Sequence, residues 1–236
     1  MGVVTPRDAA ALARCIDHTL LAPESTRAEV LAACRDAAAW GVAAVCLSPS
    51  GLPLPAGVPG GVVATCTVVG FPSGAHAPHA KAHEAATAVR QGADEVDMVV
   101  HLGRVRDADW ASVEGEVRAV RGAVDAARAD GAARVVVKVI CESAALSDDE
   151  LRATCRAAVA GGADFVKTST GFHRAGGATV RAVTIMRATV GPSIGVKASG
   201  GIRTTAAALE MLAAGATRIG ASATREILAG LVSPDA

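Results

Sequence analysis

Tyrosine is absent from this 236-residue chain, and with three Phe and two Trp the aromatic residues reach only 2%. So sparse a set supplies no stacking platform for bases or sugars. Net charge is scarce as well: the formal charge is +0 at pH 7, and no basic stripe interleaves with aromatics, which argues against nucleic acid as a partner. No uninterrupted apolar run approaches the ~18 residues of a membrane span. Arg7, Asp8, Arg14 and Asp17 break up the apolar N-terminal residues, so no signal-peptide core forms. Cys15, Cys34, Cys46, Cys66, Cys141 and Cys155 lack CxxC spacing and mostly fall in apolar segments, where a thiol behaves as a small hydrophobe. These absences lead us to expect a cytoplasmic protein with no membrane association.

The scarcity that says most is that of lysine. Of 23 cationic side chains 19 are Arg, and Lys occurs only at 81, 138, 167 and 197. Three of the four sit in apolar, β-rich segments, Val135 to Ile140, Ala163 to Lys167 and Ile194 to Lys197, with only Lys81 elsewhere. Arginine supplies the general charge, and lysine is held for something guanidinium does not do. A crowded ammonium drops to a pKa of ~7–8 and becomes a nucleophile or base, whereas guanidinium stays charged. The pattern points to amine chemistry.

Short β-branched runs alternate with Ala/Arg/Glu-rich helical stretches along the whole chain, the pattern of repeated βα units. Eight strands are predicted: Arg14 to Leu20, Ala43 to Ser48, Val62 to Val69, Asp94 to His101, Arg134 to Cys141, Asp164 to Ser169, Ile194 to Ser199 and Thr217 to Ser222, each followed by a helix. A weak repeat supports them: Gly41-Val42, Gly92-Ala93, Gly131-Ala132, Gly162-Ala163 and Gly215-Ala216 each end a helical stretch and open a strand, where glycine suits a left-handed helix terminus. Pro49 to Pro59 reads as a Gly/Pro-rich surface loop, and no linker divides the chain. The chain is close to the ~250 residues of one (β/α)8 barrel. A single domain, residues 1–236, folded as a (β/α)8 TIM barrel of the α/β class is the expected architecture, with an open doubly wound sheet as its alternative.

Strand side chains alternate faces, so parity assigns the lumen. In Glu95 to Val100 the apolar set Val96, Met98 and Val100 faces the helices, which sends Glu95, Asp97 and Val99 inward. The same reading sends Phe165, Lys167 and Ser169 inward, Lys197 and Ser199 inward, Lys138 inward with Val136 and Ile140, and Asp17 inward with Ile16 and Leu20 outward. Three lysines and two aspartates therefore converge where charge is costly unless paired. A purely structural ion-pair network is the plain alternative. Against it, three ammoniums outnumber two aspartates, and Lys167 beside Lys197 is a like-charge pair expected to depress the pKa of one of them. A neutral amine there can attack a carbonyl and form a Schiff base.

Beyond the seventh strand comes Ser199-Gly200-Gly201-Ile202-Arg203, and beyond the eighth Gly220-Ala221-Ser222. These are the loops in which such barrels hold phosphate, using glycine backbone N–H groups and helix N-termini. Gly171, after Thr168-Ser169-Thr170, adds a third edge. A small phosphorylated carbonyl compound is the expected substrate.

Together these segments resemble the deoxyribose-phosphate aldolase family of class I aldolases. The resemblance runs along most of the chain: Asp17-His18-Thr19-Leu20-Leu21, Val45-Cys46, Gly70-Phe71-Pro72, Gly92 to Val99, Val137 to Ile140, Gly162 to Phe172, Val196 to Arg203 and Gly220-Ala221-Ser222. It implies reversible cleavage of 2-deoxy-D-ribose 5-phosphate to acetaldehyde and D-glyceraldehyde 3-phosphate, in deoxyribose catabolism, with no metal or organic cofactor. By the same resemblance Lys167 forms the Schiff base, and Asp97 and Lys197 transfer protons through water, Lys197 also keeping Lys167 partly neutral. Lys138, Asp17, Thr19 and Thr170 support them and Cys46 lines the pocket. Gly171, Gly200, Gly201, Ile202, Arg203, Gly220 and Ser222 bind phosphate. A homo-oligomer, dimer or tetramer, is expected. Some relatives carry a C-terminal tyrosine that assists proton transfer; this chain has none.

Two rival readings follow from other residues. His76, His79 and His83 cluster within Gly74 to Glu84, a spacing that gathers imidazoles for a metal-dependent aldolase, although no partner carboxylate is evident and solvated histidines explain them more simply. A barrel that merely binds a sugar phosphate needs the glycine loops but not Lys167 and Lys197 together.

Overall fold

The computed structural model describes Pro6, residues 8–60 and residues 62–231. In chain order the elements are α1 Ala9–Ala13, β1 Ile16–Leu20, α2 Arg27–Trp40, β2 Ala44–Leu47, β3 Ala64–Val69, α3 Pro78–Arg90, β4 Glu95–Val99, α4 Leu102–Arg106, α5 Trp110–Ala127 and β5 Val136–Ile140. They continue with α6 Asp148–Ala160, β6 Phe165–Lys167, α7 Val180–Val190, β7 Gly195–Ser199, α8 Thr205–Ala213, β8 Arg218–Ala221 and α9 Thr224–Ala229. The eight strands pair in parallel in sequence order, and β1 pairs β8 to close the barrel. The open-sheet alternative is thereby excluded.

The junction repeat has a physical basis. All five glycines take positive φ, from +63° at Gly41 to +111° at Gly215. At three of these junctions the side chain two residues on reaches back to the strand before it. Asp94 accepts from the Thr65 N–H at 2.8 Å, Asp164 from the Val137 N–H at 2.9 Å, and Thr217 Oγ1 from the Val196 N–H at 3.3 Å. Each bond pins the start of one strand against its neighbour, so register is set at the N-terminal rim. Capping boxes, Thr26 with Glu29 and Ser147 with Glu150, start α2 and α6, each worth about 1 kcal/mol.

Parity holds around the barrel. Val96, Met98, Val100, Val137, Val139, Val166, Val196 and Ile219 pack in one apolar layer between sheet and helices, while Ala44, Cys46, Cys66 and Val68 form a small apolar patch in the lumen. Gly195 leaves room for Phe165: a Cβ there would stand 2.1 Å from the ring.

One expectation needs correction. No α-helix follows β2; a single 3-10 turn, Pro49–Gly51, is all that forms before β3. Pro49, Pro53, Pro55 and Pro59 remove amide donors, and the interspersed glycines raise the entropy cost of ordering, so this segment cannot propagate a helix. Lys81, set apart as the lysine outside the strands, is fully buried between α3 and α5. Its Nζ donates to the Val99 carbonyl at 2.7 Å and to Glu116 at 2.9 Å, and Glu116 accepts from the His101 N–H at 2.8 Å. The pair grips the chain on both sides of Val100, just beyond β4. Burial pushes the Lys81 ammonium down from its ordinary value, and Glu116 opposes that.

No helix among the described residues is long and apolar enough to cross a membrane.

Candidate active site

Neighbouring strands deliver the lumen charges, two from β4 and one each from β1, β5, β6, β7 and β8. Asp97 on β4 is in register with Lys138 on β5, and Lys167 on β6 with Lys197 on β7. Lys197 is in turn in register with Arg218 on β8, and β8 pairs with β1, which carries Asp17. Because every strand is parallel, inward side chains of like depth meet at the centre.

Asp97 is the hub. Its Oδ2 accepts from Lys167 Nζ and from Lys197 Nζ, each at 2.7 Å, and its Oδ1 from Lys138 Nζ at 2.8 Å. Lys197 bridges to Asp17 at 2.5 Å, and Arg218 donates to the other Asp17 oxygen at 2.5 Å. Glu95 pairs with Lys138 and lies 3.5 Å from Arg218. Four cations thus meet three carboxylates. Asp17, Asp97, Lys138 and Lys197 are wholly buried, a setting in which losing one partner costs about 3–5 kcal/mol.

The field of these neighbours overrides burial. Burial alone would push the Asp97 carboxyl up, but Lys138, Lys167 and Lys197 hold it well below the carboxylate range. Asp17 is likewise held down against its burial by Lys197, Lys138 and Arg218. Burial works to lower Lys197, yet Asp17 and Asp97 push it above its ordinary value. The like-charge depression expected within the Lys167–Lys197 pair therefore does not fall on Lys197, because two carboxylates outweigh the neighbouring cations. Lys138 is raised for the same reason.

Above this cluster a cavity of about 450 Å³ opens at the C-terminal ends of the strands. Lys167 lines it; Lys138 and Lys197 do not. The remaining wall includes Thr19, Thr170, Gly171, Gly200, Gly201, Ile202, Arg203, Gly220 and Ser222. All the residues expected at the phosphate end are therefore brought together. Gly171 and Gly200 approach backbone to backbone, since a Cβ on Gly200 would meet Gly177 Cα at 2.9 Å and Gly171 Cα at 3.4 Å. Gly220 serves a second purpose, because the space of its missing Cβ is taken by Lys197, whose Cε would be 3.0 Å away.

Cys46 departs from its expected place. It is absent from the cavity wall and fully buried beneath it, in register with Cys66, whose thiol lies 3.3 Å from Asp97 Oδ1. Ser169, read as a strand residue, lies past the end of β6 yet remains buried. The three histidines line a separate groove on the outer side of α3 with Glu84 and Gln91. Among the described residues, the groups of three possible metal ligands within 4.8 Å are Cys46–Cys66–Asp97 and Asp17–Cys66–Glu95, and neither contains a histidine.

Sequence reasoning gave no role to Glu95, Arg218, Cys66 or Glu142. Parity on β8 would have found Arg218, since Ile219 and Ala221 face the helix layer and leave Arg218 and Gly220 inward.

This constellation can be set beside known proteins. The family model for DeoC/LacD family aldolases matches residues 11–233. The deoxyribose-phosphate aldolase of Kocuria rhizophila is 55% identical over 226 residues, covering 95% of this chain and 98% of that protein. The deoxyribose-phosphate aldolase of Mycobacterium tuberculosis strain H37Rv is 55% identical over 226 residues, 94% of this chain and 96% of that one. Among solved structures, the tetrameric deoxyribose phosphate aldolase of Aeropyrum pernix superposes with a TM-score of 0.82 at 32% identity, covering 97% of this chain and 94% of the other. A match over nearly the whole chain, with the barrel and its lysine cluster in place, means that the chain belongs to the DeoC/LacD family of aldolases.

Proposed function

We propose that this chain is a class I aldolase that reversibly cleaves 2-deoxy-D-ribose 5-phosphate to acetaldehyde and D-glyceraldehyde 3-phosphate, with Lys167 as the Schiff-base residue. One observation carries the assignment: among the lysines bound to Asp97, Lys167 alone lines the cavity.

Lys167 Nζ attacks the C1 aldehyde of the open-chain sugar, and loss of water leaves a protonated imine. Asp97, kept ionised by its three lysines, takes the C3 hydroxyl proton through a water. The C2–C3 bond breaks, its electron pair moves into the imine to give an enamine, and C3 leaves as the aldehyde of glyceraldehyde 3-phosphate. The Lys197 ammonium, held between Asp17 and Asp97, stands in the proton path by which the enamine C2 is protonated. Hydrolysis then releases acetaldehyde and the free amine. Lys138, Asp17, Glu95 and Arg218 hold the hub at fixed charge and geometry, which is the preorganisation that electrostatic catalysis needs. Thr19 shapes the wall, its hydroxyl turned back to the Asp17 carbonyl at 3.0 Å. The phosphate sits at Gly171, Gly200, Gly201, Ile202, Arg203 and Ser222, and Gly220 makes space for Lys197.

Intact and peptide mass spectrometry after incubation with acetaldehyde and sodium borohydride tests the reading. A single ethyl adduct on Lys167 is expected. An adduct elsewhere, or none on folded and active protein, overturns it.

A homo-oligomeric state is part of this proposal; the tetrameric Aeropyrum pernix protein supports it. A cytoplasmic location is proposed with it.

A further inference from the structure

Glu142, two residues past the end of β5, is one of two non-glycine residues with positive φ among the described residues, at φ +57°, ψ +53°. Such backbone is strained for a side-chain-bearing residue and tends to persist where function holds it. The carboxylate is also buried, at 1% exposure, and among the described residues it enters no ion pair. An unpaired buried carboxylate is costly.

What it does hold is Thr170. Both Glu142 oxygens accept from the Thr170 N–H, at 3.2 and 3.3 Å, and Oε2 accepts from the Thr170 hydroxyl at 2.5 Å. The hydroxyl oxygen in turn accepts from the Phe172 N–H at 3.1 Å. The turn is fastened from the same side again, as Ser143 N–H donates to the Thr168 carbonyl at 2.8 Å. Gly171 is thus fixed between two tethered residues, with φ +84°, on the cavity wall. A carboxylate is an odd choice beside an anion site unless its oxygens are already engaged by protein donors. Here Glu142 occupies the Thr170 donors and leaves Gly171 to face the cavity.

We propose that Glu142 is a positioning residue that holds the Thr170–Gly171 edge so that the Gly171 backbone N–H meets the substrate phosphate. This rests on the reading of the glycine loops as the phosphate end, and it adds a residue outside the cavity wall to that end.

Glu142→Gly is the first test, because glycine suits the left-handed backbone while removing the carboxylate. Three quantities are measured: KM for 2-deoxyribose 5-phosphate, competitive inhibition by inorganic phosphate, and the rate of acetaldehyde and borohydride labelling of Lys167, which involves no phosphate. The expected result is a KM raised about tenfold or more, phosphate inhibition weakened by a similar factor, and labelling within about twofold of wild type. Glu142→Gln, which keeps one acceptor oxygen, recovers most of the lost phosphate affinity. Should the glycine variant not fold, Glu142→Asn, a residue type that also tolerates left-handed backbone and whose shorter side chain withdraws the carboxylate from Thr170, gives the same selective loss.

Parallel loss of labelling and phosphate affinity would indicate a merely structural residue and overturn the proposal. Unchanged phosphate inhibition in folded Glu142→Gly or Glu142→Asn overturns it too, leaving the anion-end reading intact. Wild-type protein indifferent to inorganic phosphate overturns the anion-end reading and this proposal together.

Discussion

Gly220 and Lys197 share one space: a Cβ on Gly220 would stand 3.0 Å from Lys197 Cε and 3.0 Å from Ser199 Cβ. Lys197 cannot swing aside freely, because Asp17 and Asp97 both hold its Nζ. Gly220→Ala is therefore expected to lower kcat by about 10- to 100-fold, the scale of a misplacement near 1 Å, with a folded barrel by circular dichroism. Steady-state kinetics on the purified variant checks this; an unchanged kcat means the lysine chain adapts at no loss.

Lys167→Arg keeps a cation beside Asp97 but cannot form an imine at neutral pH. Turnover should fall by about three orders of magnitude or more, as when a covalent nucleophile is removed. The thermal midpoint should move far less. Residual activity near wild type in a coupled glyceraldehyde 3-phosphate assay rules out Lys167 as the nucleophile.

Asp97→Asn asks more of the fold. It keeps the shape of the hub but removes the charge facing three ammoniums, so the lumen holds four cations against Asp17 and Glu95. A loss of about 3–5 kcal/mol is expected from urea denaturation, the range for breaking a buried pair, along with loss of turnover. A variant as stable as wild type contradicts the assigned field.

Stability should also follow pH with a determinate sign. Asp17 and Asp97 are depressed in the folded protein, so near their ordinary value of about 3.9 the unfolded chain binds more protons. Their contribution is present above that pH and is lost as the pH falls through the folded values. Lys138 and Lys197 are raised, so theirs is present below about 10.4 and is lost as the pH rises through the folded values. Lys81, pushed down, runs in the opposite sense to these two lysines. Denaturation across pH should give a plateau between these limits, with an acid limb that Asp17→Asn makes shallower. An acid limb identical in both proteins removes Asp17 from the account.

The barrel and most of its site were legible because strand alternation has a period of two and each strand carried an unmistakable apolar face. Val96, Met98 and Val100 left Asp97 no choice but the lumen. Features set by distant partners were not legible. Lys81 finds Glu116 35 positions away on another helix, and nothing local marks it as buried. The depth of Cys46 depends on the length of β2 and on Cys66 beside it. Counting only cations and two aspartates missed that Asp17 and Asp97 govern Lys197 more than Lys167 does. Glu142 carries no sign at all, since Thr170, the residue its carboxylate holds, lies 28 positions away in the chain.

The burial of every lysine has a practical side. Lys81, Lys138 and Lys197 are 0% exposed and Lys167 is 3% exposed, at the base of the cavity. The folded surface of the described residues therefore offers amine-directed reagents almost nothing. Dyes, crosslinkers and activated resins of that chemistry should leave the barrel nearly untouched, and any side-chain label that does appear under native conditions reports on the occupancy of one cavity.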